Sequence, residues 1–195
     1  MAPRSRKTSE LMREKTRAAI LSAALELFAK RGYSATTTDE IAKKAGISKG
    51  LIYSHFRAKE DVLFAMFDSY KDPRVFSDTD KRQPFERLMS IIDGWLELIR
   101  KEPLLARLSL QLNLDDEYRR IIRSKKAMSY YNTFLREMKK LLKDLGSTRP
   151  DLDTFILVFL FDGIVANYTV APDLFPIDDI KNHLVELLTA RWGAK

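Results

Sequence analysis

This sequence predicts an all-α protein of about nine helices: a small three-helix head containing a helix-turn-helix, followed by a larger helical body. Three observations carry the prediction. Apolar residues recur at i, i+3, i+4, i+7 along most of the chain, and no segment shows a strand pattern. Residues 36–56, TTTDEIAKKAGISKGLIYSHF, read as two short helices joined by a tight turn. The formal net charge of +7 is confined to the first third: residues 1–60 hold 13 Lys/Arg against 6 Asp/Glu, and residues 61–195 hold 21 of each.

The elements follow in order. Residues 1–12 form a basic arm expected to be mobile, of a kind that frays or enters a DNA minor groove. A first helix takes over from about Ser9 and runs to Lys30, with Ile20, Ala23, Ala24, Leu27 and Phe28 on one stripe and Gly32 as its stop. Two short helices over about Thr38–Ala45 and Ser48–Phe56 complete a helix-turn-helix domain, 13–58. Residues 59–195 form the body, entered by a connecting helix over 59–70 with Val62, Leu63, Met66, Phe67 and Tyr70 on one face. Asp72–Pro84 is polar with two prolines and is expected to be a loop. Helices over about Phe85–Ile99, Leu104–Leu112, Asp116–Leu145, Leu152–Val170 and Ile177–Trp192 account for the rest.

Within the turn motif the chemistry is specific. Thr37 and Glu40 have the spacing of a capping box, Gly46 supplies a left-handed turn residue, Ile47 plugs the corner, and Ser48 caps the next helix. Ile52 and Phe56 define the buried side of that helix, which puts Gly50 and Ser54 on the opposite side and Leu51 and Tyr53 on the flanks. An exposed glycine inside a helix costs about 1 kcal/mol relative to alanine, which makes sense where a groove must come close. Lys49 suits a guanine edge or a phosphate, and Leu51 a thymine methyl. Thr38, Tyr53, His55 and Lys59 have donors with the reach of phosphate oxygens, and the helix starts at Thr38 and Ser48 add backbone amides suited to anions. Second readings stand beside these: Tyr53 covering the head's core, His55 bonding locally, and Lys59 as an ordinary first-turn residue.

The run from about Ile20 to Leu63, and above all TTTDEIAKKAGISKGLIYSHFRAKEDVL, closely resembles the DNA-binding head of TetR-family transcriptional regulators. The resemblance covers about a quarter of the chain, and this stretch shows no departure from the pattern. It implies three head helices, a fourth linking to the body, and a dimeric body enclosing a small-molecule pocket. It also implies repression of transcription, relieved when ligand binds. The matching DNA-contact positions are Thr38, Ser48, Lys49, Gly50, Tyr53, His55 and Lys59.

In the body, FILVFLF (155–161) is apolar around the whole helix circumference, which calls for burial on both sides. Phe155, Val158 and Phe159, with Ile180, Leu184, Leu187 and Leu188 of the final helix, are therefore the expected dimer face, a four-helix interface about a two-fold axis. For a ligand, Trp95, Tyr131, Phe134, Met138 and Phe159 offer aromatic and thioether surface, and Gln111, Asn113, Asp162 and Asn167 a few polar contacts; that mix suits a small hydrophobic molecule. The same stripes equally describe a plain core.

Composition sets the outer limits. At 45% hydrophobic and 31% charged the chain can build a core and a solvated surface. The absence of cysteine excludes disulfides and thiolate metal sites, and two isolated histidines leave no metal centre to expect. No signal-peptide pattern precedes the head, and Phe155–Ala171, broken by Asp162, Asn167 and Tyr168, falls short of the roughly 18 continuous apolar residues of a membrane span. A cytoplasmic location is expected. No P-loop, dinucleotide fingerprint or nucleophile elbow appears, so neither catalytic residues nor a cofactor are assigned. An enzyme and a sequence-tolerant DNA-packaging protein are the rival classes; the first lacks a motif, and the second needs neither the large neutral body nor an exposed Gly50.

Overall fold

The computed structural model describes residues 6–70, 80–123 and 125–193, the side chains of 6, 7 and 125–131 excepted. Residues 1–5 of the expected arm, most of the Asp72–Pro84 loop and the side chain of Tyr131 lie outside the described residues. Ten helices occur among the described residues, and no strand: α1 (Arg6–Arg31), α2 (Thr38–Lys44), α3 (Lys49–His55), α4 (Lys59–Ser69), α5 (Pro84–Lys101), α6 (Pro103–Leu114), α7 (Asp116–Ile122), α8 (Lys125–Asp144), α9 (Pro150–Val170) and α10 (Ile177–Trp192).

Two boundaries differ from the sequence reading. The first helix starts at Arg6, inside the expected arm. Residues 6–19 contain neither glycine nor proline and are mostly good helix formers, so the helix propagates past Ile20, the first buried residue of its stripe. The single long helix expected over 116–145 is two, α7 and α8. The break falls where Arg119, Arg120, Arg123, Lys125 and Lys126 would otherwise repel one another at helical spacing.

The chain divides into two compact units, one of residues 1–70 with 111–119 and one of 71–110 with 120–195. In the first, α1 packs on α2 and α4, and α2 on α3. Its core is Ile20, Ala24, Phe28, Tyr33, Ile41, Ile52, Val62, Leu63 and Met66, all at most 1% exposed. The helix expected only to connect, α4, is thus packed into the head by Val62, Leu63 and Met66.

The second unit is a helical cluster in which α8 packs on α9, and α5 on α8 and α10. Leu88, Ile92, Leu96, Met138, Leu142, Leu157, Phe161, Leu184, Leu188 and Trp192 form its core. A buried carboxylate anchors one end: Asp153 accepts from Ser147 Oγ at 2.5 Å and from Arg191 Nη2 at 3.1 Å. α9 buries Leu157, Phe161 and Ile164 and leaves Leu152, Phe155, Ile156, Phe159 and Leu160 exposed on the other side. By length and composition α9 suffices to cross a membrane, contrary to the reading of its sequence, in which its polar interruptions ruled that out. Its inward stripe is committed to the core of this unit.

Candidate nucleic-acid interface

The turn motif is built by local bonds that the sequence dictates. Thr37 Oγ1 accepts from the Glu40 amide at 3.2 Å, and the Glu40 carboxylate accepts from the Thr37 amide at 2.9 Å, closing the capping box at the start of α2. Those bonds, joined by Arg31 at 2.6 Å, hold the Glu40 carboxyl below the usual carboxylate range. α2 ends on Gly46, whose φ of +67° lies in the left-handed region that favours glycine, and the Ile47 amide returns to Ala42 O at 3.0 Å. Ser48 then caps α3, its Oγ accepting from the Leu51 amide at 3.3 Å.

α3 buries Ile52, half-buries His55 and exposes the rest of its length. A side chain built on Gly50 would meet nothing within 4 Å, so packing inside the protein gives no reason for glycine there. On one flank, Lys49 Nζ is 2.7 Å from an Asp39 carboxylate oxygen and Tyr53 Oη is 3.0 Å from Thr38 Oγ1, which ties α3 to the start of α2. Leu51 and Tyr53 are 41% and 46% exposed, large for side chains with apolar rings and branches. The other flank carries His55 beside the buried Phe56, whose ring has the Arg17 guanidinium 5.4 Å from its centre. Ser48, Lys49, Gly50, Leu51 and Tyr53 therefore line the solvent side of α3, with Thr38 at the start of α2 on one flank and half-buried His55 on the other.

Burial first, then the fields of Arg13 and Arg17, hold the His55 imidazole below its ordinary pKa of 6.5. The unfolded chain then binds the proton more readily. The stability tied to the neutral ring is complete above the ordinary value and is lost as pH falls through it. His55→Gln is accordingly expected to flatten the fall in urea midpoint between about pH 7.5 and pH 5.5. A fall as steep as in the parent protein would show that the acid sensitivity lies elsewhere.

Lys59 is placed differently from the rest. Its Nζ donates to Tyr33 O at 3.0 Å, pairs with Glu117 at 3.0 Å and stands 4.2 Å from the Tyr33 ring centre, leaving the side chain only 17% exposed. Nearby, Asp115 accepts from the Ser34 amide at 3.0 Å and from Ser34 Oγ at 2.6 Å, and it also caps α7 through the Tyr118 amide at 2.9 Å. Burial works against the charged form of Asp115, but these bonds outweigh it and hold its carboxyl below the usual range. At about 1 kcal/mol net each they fix the α1–α2 loop and the start of α4 to Asp115–Glu117. Sequence reasoning missed this network because its two halves lie 58 residues apart and no local pattern announces them.

The described candidate ligand residues of the body unit are divided between its core and its surface. Trp95 packs on Phe134 and Phe161, with ring centres at 5.6 and 4.2 Å, and Met138 is core at 1% exposure. Phe159 points outward at 64% exposure, and the Asn167 side chain donates to Gly163 O at 2.7 Å on its own helix. Asp162 stands on α9, where desolvation pushes its carboxyl upward. Gln111 and Asn113 belong to the head unit; Gln111 Oε1 is buried without a hydrogen-bond partner. An open groove in the body unit is lined instead by Met89, Asp93, Lys181, Asn182, Val185 and Glu186. The expected dimer face also needs correction. Leu184 and Leu188 are buried in the core of the body unit, at 7% and 6% exposure, and Ile180 packs partly against it; Leu187 is the exposed leucine of α10 at 55%. Val158 is half-buried, while Phe155 and Phe159 are exposed.

Helices arranged as a capped helix-turn-helix pair, with a glycine open at the outer face and donors beside it, have the architecture of a helix-turn-helix domain. Residues 20–66 match the family described as bacterial regulatory proteins, tetR family. Over that segment the chain carries a helix-turn-helix domain of the kind found in TetR-family transcriptional regulators. It is 34% identical over 102 residues to the transcriptional activator FasR of Mycolicibacterium smegmatis, a match covering 49% of this chain and 45% of that one. The chain spans about half or less of the length of the curated relatives it matches first. Among solved structures, the fatty acid degradation regulator FadR of Bacillus halodurans superposes with a TM-score of 0.71 at 21% identity, over 89% of this chain and 94% of that one. NalD of Pseudomonas aeruginosa, the secondary repressor of the MexAB-OprM multidrug efflux pump, does so with 0.68 at 25% identity, over 91% and 95%.

Proposed function

We propose that the protein is a cytoplasmic, non-catalytic regulator that binds a palindromic operator as a homodimer, represses transcription there, and releases the DNA when a small hydrophobic molecule binds its body. The observation that carries this reading is the strip along α3: a seven-residue helix whose exposed Gly50 has open space before it, flanked by side chains that donate to anions. Gly50 and Leu51 meet the groove floor. Lys49 reaches a base edge or phosphate by leaving Asp39, while Thr38, Tyr53 and His55 hold phosphates and Ser48 fixes the helix start. Lys59 reaches a phosphate only by giving up Glu117, so its role is secondary to the strip. Two such heads at a fixed separation are what a two-fold site requires.

The exposed apolar side of α9 with Leu187 is the surface that would join two copies. The Trp95–Phe134 pair is the best aromatic wall for an effector. A ligand that favours bodies whose heads sit at the wrong spacing weakens DNA binding, and DNA weakens that ligand's binding by the same factor. NalD's description as a repressor supports repression; FasR's as an activator supports the second reading, activation by the same architecture.

The test is recovery of sheared DNA from the source genome by purified protein at about 150 mM salt, where non-specific phosphate binding is already weakened. Sharp enrichment of a few palindromic sites is the expected result. Uniform recovery would replace the proposal with sequence-tolerant packaging.

A further inference from the structure

We propose that Arg13 and Arg17 on the N-terminal half of α1 form a second phosphate-gripping edge of the DNA interface, on the flank of α3 opposite Thr38 and Tyr53. The inference rests on the DNA-binding reading above and extends it to two residues outside the turn motif.

The first observation is one of register. Residues 13, 17, 20, 24 and 28 follow one another at helical spacing, so they lie on a single stripe of α1. From Ile20 onward that stripe is buried in the head: Ile20, Ala24 and Phe28 are each 0% exposed. Where α1 runs past the head core the same stripe turns basic and exposed, at Arg17 and Arg13. These arginines therefore lean toward the side of the head that holds α3, and the contact at the end of α3 bears this out. The Arg17 guanidinium stands 5.4 Å from the centre of the Phe56 ring. The His55 ring, next to it, feels the positive fields of both Arg13 and Arg17.

The second observation is the bookkeeping of charge. Lys30, Arg31, Lys44, Lys49 and Lys59 each have a carboxylate partner inside the protein. Arg13 and Arg17 have no ion-pair partner among the described residues, although Glu10 and Glu14 share their helix. Like charges four residues apart oppose helix formation by a few tenths of a kcal/mol, so the pair works against the fold that carries it. An anion laid across both would remove that repulsion.

The third is geometric. The two arginines are about 6 Å apart along the helix axis, close enough to serve one stretch of backbone. Lys49 and Tyr53 lean to one side of the Gly50 face, where α2 stands, and Leu51 and His55 lean to the other, where Arg17 stands. A groove has two phosphate walls. The α2 side supplies hydroxyls for one, and α1 supplies arginines, whose planar forks suit phosphate, for the other.

The experiment compares the full-length protein with R13A/R17A, R13K/R17K and K15A, measuring affinity against salt. The probes are a random-sequence duplex of about 30 base pairs and the fragment most enriched from the genome. Alanine is the better helix former, so α1 is retained, which circular dichroism checks. For R13A/R17A the expected result is a log–log salt slope shallower by about 1.8 on both probes, with affinity down roughly tenfold or more. R13K/R17K keeps the slope. K15A, which removes a charge from the opposite side of α1, stays within about twofold of the parent. An unchanged slope in R13A/R17A, or an equal change in K15A, would overturn the proposal while leaving the DNA-binding reading intact. Failure of the parent protein to bind either duplex would remove both.

Discussion

Gly50→Leu is expected to cost the protein at least about 100-fold in affinity for its operator while leaving the head as stable as before or more so, because each incorrect groove contact costs about 1–3 kcal/mol and a displaced helix loses several at once. The two halves of that expectation come from one observation. Nothing within 4 Å would meet a side chain at this position, so leucine fits the free protein without strain. Replacing a helical glycine relieves a backbone-entropy cost of up to about 1 kcal/mol. A stability optimum would therefore place almost any other residue here. The same open space is where a base-pair edge or phosphate must come if α3 lies in a major groove, and a leucine would hold the helix away from it. Urea unfolding together with titration of a recovered operator fragment gives both signs. Undiminished binding by G50L would mean that this face of α3 does not enter the groove.

How far the sequence foretold this arrangement depends on the range of the interactions involved. The limits of α2 and α3 were readable to within a residue because every device that sets them is local: Thr37 with Glu40, Gly46 at its positive φ, and Ser48 on the Leu51 amide. The fate of Lys59 was not, since Glu117 reaches it from 58 residues away. The direction of α10 was ambiguous for another reason. Leu184, Leu187 and Leu188 fit an inward or an outward stripe equally well, and α9, apolar on every side, gives no bias to choose between them. Packing against α5 chose, turning Leu184 and Leu188 in and Leu187 out. Arg13 and Arg17 fell within the expected first helix but ahead of its apolar stripe, where no apolar period tells which side of the helix faces α3.

The same reasoning about stripes bears on the proposed dimer. The body unit already uses Leu157, Phe161 and Ile164 of α9 for its own core, yet Ile156 and Phe159 stand 61% and 64% exposed on the opposite side, with Leu187 of α10 at 55%. Large apolar side chains in such a row stay soluble only when something covers them. Ile156→Asp with Phe159→Asp is expected to convert a dimer at micromolar concentration into a monomer. Four apolar side chains are lost per two-fold interface, and at about 1–2 kcal/mol for each partly exposed group that is roughly 4–8 kcal/mol, or about three to six decades in dissociation constant. The fold should survive, because neither residue contributes to the protomer core, and thermal unfolding checks that. Operator affinity should fall with dimerisation, to the level of a single head on half a site, since the linkage that made the second contact intramolecular is gone. Sedimentation of the double variant as an unaltered dimer would place the interface on another surface. A monomer that still bound the full operator at the parental affinity would keep the interface but refute the claim that two joined heads are what reads the DNA.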